Sequence, residues 1–472
     1  MVDKSVLKEV LDLATARGGE FADIFIEEKR STGIGCEAGK IERVHSGVDI
    51  GAGIRVISGE STAYAHTNDL SRAGLLEVAR IVSHAATGEK KEISLDFKKI
   101  KPLVDFQFKD KPGDVSTGRK VELVETADKV ARAVNGEKIK QVMVGYGDVV
   151  QNVTIANTEG DYVEDERIRT RLMVNAVAAS GPLIQTGYEA VGSFCGFELF
   201  ETYSPDSVAE AAARRAVAML GAKPAPAGKM PVVMASEAGG TMVHEACGHG
   251  LEADLVQKNL SVYAGKKGQV VAAPEITVFD DATIDSRYGS YRFDDEGAPA
   301  RRVNLIENGV LTDFMYDRLT ATKDGRQSNG HGRRESYQHK PIPRMGNTCI
   351  APGKTDPAKI IRETKNGLLV KKMGGGQVNT TTGDFVFEVA EGYLIRDGEI
   401  GPMVRGATLT GNGPEVLRVV ESVGSDLGFT IGTCGKDGQG IPVSDAQPTM
   451  SIKELIVGGT AQGTTSGSIR RI

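Results

Sequence analysis

Residues 221–231 read GAKPAPAGKMP and lie close to the middle of the 472-residue chain. Proline and glycine recur so closely in this stretch that neither a helix nor a strand is expected there. The chain is also longer than one typical domain. The sequence therefore predicts an N-terminal domain over residues 1–222, a linker over 223–231 and a C-terminal domain over 232–472.

Helical and strand patterns are mixed on both sides of this stretch, without a regular βαβ alternation. Helical spacing of apolar residues predicts six helices, over residues 6–16, 69–86, 118–134, 204–220, 357–364 and 414–423. Alternation with a period of two predicts strands, over residues 22–28, 141–162 and 169–196. Frequent glycines, among them Gly47, Gly51 and Gly53, are interpreted as turns between short strands. The predicted fold class is α+β, with two domains rich in short antiparallel strands.

Composition and charge exclude several classes of protein. Hydrophobic residues make up 40% and charged residues 25%, the balance of a folded globular chain. The formal net charge of −6 provides no overall basic field to attract nucleic acid or an anionic membrane. No apolar run is long enough for a transmembrane helix, and the first residues lack the apolar core of a secretory signal. Five scattered cysteines without CxxC spacing favour a reducing, cytoplasmic location.

The stretch 240–250, GTMVHEACGHG, contains the pattern that bears most directly on chemistry. It places His244 beside Glu245, with His249 five residues after the first histidine. Neutral imidazoles are common zinc ligands, and a catalytic zinc keeps one position open for water. On a helix, Glu245 would point about 100° away from His244, so that it could approach this water without binding the metal. The pattern therefore predicts a zinc site with Glu245 as the catalytic carboxylate.

The spacing of the two histidines predicts a distorted helix. Residues five apart on a regular α-helix point about 140° away from each other, so the two imidazoles could not share one ion. A π-bulge, or a helix that ends between His244 and His249, would bring the rings together. Gly248 would make this distortion easy.

A third ligand is needed, and the residues by themselves leave two candidates open. Cys247 follows His244 by three residues and could share its helix face. Cys434 lies in a glycine-rich stretch, residues 432–440, which would let a thiolate approach an ion closely. Glu252 and Asp254 are candidate acceptors for the N–H of a ligand imidazole. Further along the chain are candidates for stabilising an oxyanion: His331, Arg333, Tyr337 and His339.

The histidine motif belongs to a set of sequence blocks spread over nearly the whole chain. The blocks are 51–68, 244–254 (HEACGHGLEAD), 329–336 (NGHGRRES) with 343–348 (PRMGNT), and 434–439 (CGKDGQ) with 447–449 (QPT). Together they resemble the signature of the TldD/PmbA family, on its TldD side. The resemblance implies a zinc-dependent peptidase with a two-domain α+β fold and duplicated sheet elements. It also implies that His244, His249 and Cys434 bind zinc and that Glu245 is the catalytic carboxylate.

The leading hypothesis is thus a cytoplasmic zinc metallopeptidase that hydrolyses peptides or unfolded proteins. The resemblance further implies a partner, a paralogous PmbA/TldE-like subunit that lacks the zinc motif; a homodimer is the alternative. Many predicted strands favour a substrate that is held as an added β-strand. Two rival hypotheses are an assembly or regulatory protein with a structural zinc, and a chain that is active only with its paralogue.

Overall fold

The computed structural model describes residues 2–86 and 95–460, and within them the N-terminal half forms one seven-stranded sheet. Its strands are β1 (Phe21–Glu37), β2 (Lys40–Ser58), β3 (Ser61–Thr67), β4 (Lys98–Lys99), β5 (Ile139–Asn157), β6 (Asp161–Ser180) and β7 (Leu183–Ser193). They pair in the order β3-β2-β1-β5-β6-β4, and β7 pairs with β6. All of these pairings are antiparallel except that of β4 with β6.

The longest strands of this sheet run 17 to 20 residues, so the prediction of short strands is wrong here. The error comes from glycines that were interpreted as turns. Gly51 and Gly53 lie inside β2, where the chain is fully extended. A Cβ on Gly51 would lie 2.2 Å from the ring of Tyr337, and a Cβ on Gly53 would collide with the hydroxyl of Tyr64. Glycine is present there because other side chains cross the strand, and the strand continues through it.

Helices cover one face of the sheet, and they begin where the sequence offers a cap. In chain order the helices are α1 (Lys4–Ala14), α2 (Arg72–Ala85), α3 (Thr117–Ala133), α4 (Leu199–Thr202) and α5 (Pro205–Gly221). Side chains of Asp3, Ser71, Ser116 and Ser204 accept hydrogen bonds at the starts of α1, α2, α3 and α5. The four long helices agree with the predicted positions. Two apolar cores result, one beneath α1 and α2 and one beneath α3 and α5.

The C-terminal half contains more and shorter strands. They are β8 (Lys223–Pro224), β9 (Gly228–Met234), β10 (Val278–Asp281), β11 (Arg302–Glu307), β12 (Val310–Leu311), β13 (Gly332–Arg333), β14 (Ile342–Pro343), β15 (Asn347–Ile350), β16 (Gly367–Val378), β17 (Asp384–Arg396), β18 (Glu399–Arg405), β19 (Thr408–Asn412), β20 (Val420–Val423), β21 (Gly428–Lys436), β22 (Gln439–Gln447) and β23 (Met450–Gly458). The helices are α6 (Thr241–Val243), α7 (Ala253–Gln257), α8 (Arg318–Lys323), α9 (Pro357–Thr364) and α10 (Gly413–Arg418). This mixture confirms the α+β class.

Two larger sheets organise these strands. In one, β16, β9, β23, β19 and β17 pair in that order and β17 pairs back with β16, so that five strands close into a ring. In the other, the order is β12-β11-β10-β15-β22-β21. The largest apolar core of the described residues lies in this half and includes Val232, Phe387 and Ile452 from the ring. β21 is the last strand of the second sheet, so one edge of β21 has no pairing strand within the described residues.

The expectation that residues 223–231 form neither helix nor strand is wrong. Lys223–Pro224 pairs with β18, and Gly228–Met234 is a strand between β16 and β23. Proline is tolerated at Pro231 because no backbone N–H is needed there, while Val232 to Met234 supply regular pairing on both sides. The stretch is therefore part of the C-terminal sheet. The division into domains 1–222 and 232–472 stays a prediction, as does the duplication of sheet elements.

The uncovered face of the N-terminal sheet meets the C-terminal half through buried charges as well as apolar contacts. Phe25 packs against Phe293 in a small apolar cluster. Beside it, Arg55 on β2 is 1% exposed and forms ion pairs with Asp23 and with Glu296, the latter at 2.7 Å. One guanidinium thus compensates two buried carboxylates from different halves of the chain.

Replacing Arg55 with methionine is expected to lower the free energy of unfolding by about 3–5 kcal/mol, because Asp23 and Glu296 would stay buried without their cation. Urea denaturation followed by circular dichroism measures the loss. Arg30→Met is the matched control, since Arg30 pairs with Glu28 at an exposed site and should lose about 1 kcal/mol or less. Equal losses in the two variants would contradict the role given to Arg55.

Candidate metal centre

The histidine pair lies on a short helical segment that widens in its middle. Thr241–Val243 is α-helical, His244–Gly248 forms a π-helical turn, and His249–Leu251 forms a 3₁₀ turn. The amide of His249 donates to the carbonyl of His244, a bond that spans five residues where an α-helix spans four. The two imidazole rings therefore lie on one side, with centroids 4.8 Å apart. The distorted helix predicted from the spacing is confirmed.

Close packing holds the π-helical turn in this shape. The hydroxyl of Tyr263 donates to the carbonyl of Ala246 at 2.9 Å and so satisfies an acceptor inside the turn. A Cβ on Gly248 would lie 2.3 Å from the sulfur of Met345, and one on Gly413 would lie 2.1 Å from the Ala246 carbonyl oxygen. Glycine at 248 and 413 is therefore required by the close approach of neighbouring atoms.

Cys434 reaches the histidines from the edge strand β21. Its Sγ lies 3.5 Å from Nε2 of His249, and the donor atoms of His244, His249 and Cys434 all lie within 4.8 Å of one another. β21 is held in place by its antiparallel pairing with β22, which extends from Gly428 opposite Gln447 to Lys436 opposite Gln439. The fold thus brings together three residues of which the cysteine lies 185 positions beyond the second histidine.

Two buried carboxylates orient the imidazoles. Nδ1 of His244 lies 2.9 Å from Oδ1 of Asp445, and Nδ1 of His249 lies 3.0 Å from Oε2 of Glu252. With each Nδ1 bound to a carboxylate, Nε2 of each ring is left to face the thiol. The prediction for Glu252 is confirmed. The prediction for Asp254 is wrong, since its carboxylate accepts from Lys436 at 2.6 Å.

Sequence reasoning missed Asp445 because nothing in its local pattern marks it. It lies on β22 opposite Thr430, so it approaches His244 only through the pairing of the hairpin. The available signal was its position between two of the family-like blocks, 434–439 and 447–449. To predict Asp445 from this signal, one would also have needed the alternation of side chains along β22 and its pairing with the strand that carries Cys434.

The electrostatics of the cluster favour an anionic sulfur donor. Burial raises the pKa of the Cys434 thiol, but hydrogen bonds and charges from His244 and His249 outweigh this effect and lower it to about 5. Burial likewise raises the pKa of Glu252, while the charges of Lys436 and His249 lower it to about 2. The thiolate and the carboxylate are therefore charged at neutral pH, which suits a bound cation.

Glu245 lies beside this cluster and is only partly buried. Burial raises the pKa of its carboxyl group, and the charges of His244 and His249 act in the opposite direction. The carboxylate is not a member of the three-donor group.

The other candidates from the sequence lie elsewhere. The thiol of Cys247 donates to the Val243 carbonyl, and burial raises its pKa to about 12. Among the described residues, the structure therefore groups Cys434 with the histidines and places Cys247 apart. The four candidates for stabilising an oxyanion form hydrogen bonds with residues outside the histidine–cysteine cluster. His331 contacts Asn329 and Asp280, and Arg333 donates to the carbonyls of Met345 and Pro442. Tyr337 contacts Asp49, and His339 contacts Ser336.

Two imidazoles and one thiolate, each imidazole backed by a carboxylate, form a donor set typical of metal sites in metalloenzymes. Within residues 2–86 and 95–460, this is the group of histidine, cysteine and carboxylate side chains whose donor atoms converge on one point. Its chemistry fits a divalent transition metal and does not fit Mg²⁺ or Ca²⁺, which prefer oxygen ligands.

Family models match most of the chain. They are the PmbA/TldA metallopeptidase domain 1 over residues 22–86, the central domain over 110–220 and the C-terminal domain over 227–459. The chain therefore belongs to the PmbA/TldD metallopeptidase family, as the four sequence blocks predicted. The three candidate metal donors and Glu245 all fall within the range matched by the C-terminal domain.

Relatives in this family share the full length of the chain. A metalloprotease TldD homolog of Haemophilus influenzae is 35% identical over 463 residues, which cover 96% of each chain. A metalloprotease of Methanothermobacter thermautotrophicus is 36% identical over 442 residues, covering 93% of this chain and 96% of that one. These relatives are named metalloproteases, which supports a protease at the level of the family.

Solved structures share the fold. A protein of Thermotoga maritima that is called a modulator of a DNA gyrase superposes with a TM-score of 0.80 at 24% identity, covering 96% of this chain and all of that one. TldE of Thermococcus kodakarensis superposes with a TM-score of 0.74 at 19% identity, covering 97% and 99%. At these identities the likeness concerns the architecture alone.

We expect Cys434→Ala to abolish stoichiometric metal binding, because the cluster would lose its anionic donor and keep only two imidazoles. Cys247→Ala is the matched control and should bind as much metal as the wild type, since its thiol lies apart from the donors. Elemental analysis of the purified full-length variants measures the metal content. Loss of metal in Cys247→Ala with retention in Cys434→Ala would reverse the assignment.

Proposed function

We propose that this chain is the zinc-binding, catalytic subunit of a peptidase that cleaves peptides or unfolded proteins. The observation that carries the proposal is the convergence of His244, His249 and Cys434 beside Glu245. Imidazole and thiolate are the donors that zinc prefers, and a site with three protein ligands is typical of catalytic zinc. Metalloprotease relatives at 35–36% identity support the same reading of the site.

When bound, a zinc ion supplies a Lewis acid that polarises the peptide carbonyl and makes a water molecule more acidic. The carboxylate of Glu245 then accepts a proton from the attacking water and donates it to the leaving amide nitrogen. Partial burial suits this exchange, because it raises the pKa of Glu245 above that of an ordinary glutamate. The carboxylates of Asp445 and Glu252 accept hydrogen bonds from Nδ1–H of the two imidazoles. Nε2 of each ring is thereby directed towards the metal position.

The number of donors favours a catalytic zinc over a structural one. Structural zinc sites are closed by four protein ligands, whereas the cluster contains three among the described residues. Cys247, the nearest further thiol in the sequence, faces Val243. A thiolate also donates more charge than a third imidazole would, so we expect slow turnover.

The free edge of β21 supports a substrate that binds as an added strand. In the part of the chain that the structure describes, β21 pairs with β22 alone, and it carries Cys434. An extended peptide that pairs with this edge would run past the metal donors and be recognised by its backbone. This mode selects for unfolded chains, with little dependence on side chains.

We further propose that the subunit works with a paralogous, PmbA/TldE-like chain in the cytoplasm. The TldE structure shares the fold over almost the whole length, which supports a pair of similar subunits. The five cysteines are all free and buried, which supports a reducing compartment. No helix within residues 2–86 and 95–460 is long and apolar enough to span a membrane.

Glu245→Gln is expected to keep the metal and to lower the rate of peptide hydrolysis by about 100-fold or more, since the group that moves the proton is lost. Metal content and cleavage of a quenched fluorescent peptide are measured on the same samples, with and without the paralogous subunit. Glu237→Gln is the matched control, because Glu237 is exposed on the preceding turn and should leave the rate unchanged. Hydrolysis by Glu245→Gln at the wild-type rate would contradict the proposal.

We expect extended peptides to be cleaved at least about 10-fold faster than the same sequence inside a stable folded domain, because only an extended chain can pair with the edge of β21. The comparison uses one sequence as a free peptide and as a surface loop of a folded carrier, monitored by mass spectrometry. Unfolding the carrier should restore cleavage. Comparable rates for the peptide and the folded carrier would exclude strand addition.

A further inference from the structure

A cavity of about 750 Å³ lies between the uncovered face of the N-terminal sheet and the C-terminal half. Its floor contains two glycine pairs on adjacent strands, Gly33 opposite Gly147 and Gly35 opposite Gly145. Neighbouring side chains lie over three of these four glycines: His45 over Gly33, Met173 over Gly145 and Arg171 over Gly147. None of the metal donors lines this cavity, so it is a second site.

Two arginines on the cavity wall are held by neutral groups. Nε and one terminal nitrogen of Arg169 donate to the carbonyls of Tyr288 and Ser290, both at 2.8 Å. Arg333 as a whole residue is 5% exposed, and its guanidinium donates to the carbonyls of Met345 and Pro442. Carbonyls fix the orientation of both guanidiniums without cancelling their charge.

A neighbouring arginine on the wall, unlike these two, has carboxylate partners. Arg167 lies next to Arg169 on the same strand face, and its charge is matched by Asp165 and Asp295. Neither Arg169 nor Arg333 forms an ion pair with a described carboxylate. Burial, followed by the charges of Arg333 and Arg167, lowers the pKa of Arg169 to about 9. The wall therefore carries positive charge for which the described residues supply no partner.

Carboxylates on the same wall are engaged elsewhere. Asp295 binds Arg167, and Asp148 binds Lys120 at 2.7 Å. Glu335 accepts from the amide of Gly440. Burial and the charge of Glu296 raise the pKa of Asp294, and its oxygens accept hydrogen bonds from the amides of Glu296, Ala298 and Gly332. An external anion would thus meet two orientated guanidiniums with little competition.

The cavity and the metal centre share one hairpin. Pro442, which accepts from Arg333, lies opposite Thr433, and both line the cavity. Cys434 is the next residue along β21, and side chains of successive strand residues point to opposite faces. A peptide that passes the edge of β21 at the metal centre therefore has the cavity on the other face of the same two strands.

We infer that the cavity binds a carboxylate of the peptide substrate through Arg169 and Arg333. Planar guanidiniums match a carboxylate with paired hydrogen bonds, and backbone-held arginines need little reorganisation to make them. The carboxylate comes either from the C-terminus of the peptide or from an aspartate or glutamate side chain. This inference rests on the proposed function for the nature of its ligand, and its test is independent of hydrolysis.

The test measures the dissociation constants of three fluorescent heptapeptides by anisotropy, with full-length Glu245→Gln protein, in which hydrolysis is expected to be at least about 100-fold slower. The first peptide has neutral side chains and a free C-terminus, the second is its amide, and the third is an amide with one glutamate. Loss of a charge-assisted contact should weaken binding about 10- to 100-fold. We expect the neutral amide to bind this much more weakly than at least one of the other two, which identifies the source of the carboxylate. Equal affinities for all three would overturn the inference.

Arg169→Gln, introduced into the Glu245→Gln protein, should remove the difference in affinity between the carboxylate-bearing peptide and the neutral amide. Arg169 is partly exposed, so the variant is expected to fold. Arg214→Gln is the matched control, because Arg214 forms an exposed ion pair with Glu210 on α5. A retained preference in folded Arg169→Gln, or an equal loss in the control, would count against the site. If wild-type protein and its paralogue hydrolyse none of the peptides while the preference is present, the proposed function fails and the carboxylate site stands.

Discussion

The hydrogen bond from the His249 amide to the His244 carbonyl is the constraint on which the metal centre depends. Because it spans five residues, both imidazoles face β21, where regular helical spacing would turn one of them away. Tyr263 stabilises the wide turn from one side, and glycine at 248 lets Met345 approach from another. The local distortion is thus held by packing on two sides, which keeps the three candidate donors together.

The hairpin of β21 and β22 connects this centre to the rest of the molecule. Cys434 and Asp445 supply a donor and the carboxylate that orients His244. Alternate residues of the same strands, Thr433 and Pro442, line the cavity with Arg333. Since strand side chains alternate between faces, one hairpin can contribute to two sites of different chemistry. The outer edge of β21 has no pairing strand among the described residues.

Much of the architecture could be predicted from local patterns, and the errors have a common cause. The long helices agree with the sequence because their apolar spacing repeats over a few residues, although α2 begins at Arg72, three residues after its predicted start. Glycines inside β2 and the prolines around Pro231 are interpreted as breaks, although β2 continues through its glycines, and Pro224 and Pro231 lie within β8 and β9. In the sequence, a glycine at a turn cannot be distinguished from a glycine that lies beneath a tyrosine side chain crossing the strand. Only the contacts across the sheet distinguish them.

By itself the sequence determined the class of fold, the family, the distorted helix and the pair of histidines beside Glu245. These features depend on spacing over a few residues, where chain geometry leaves few alternatives. The tertiary structure decided between Cys247 and Cys434, supplied Asp445, and placed Arg169 opposite the C-terminal half. Such contacts join residues that are 100 or more positions apart, and their distances depend on strand register and on the packing of whole sheets. No local pattern carries that information.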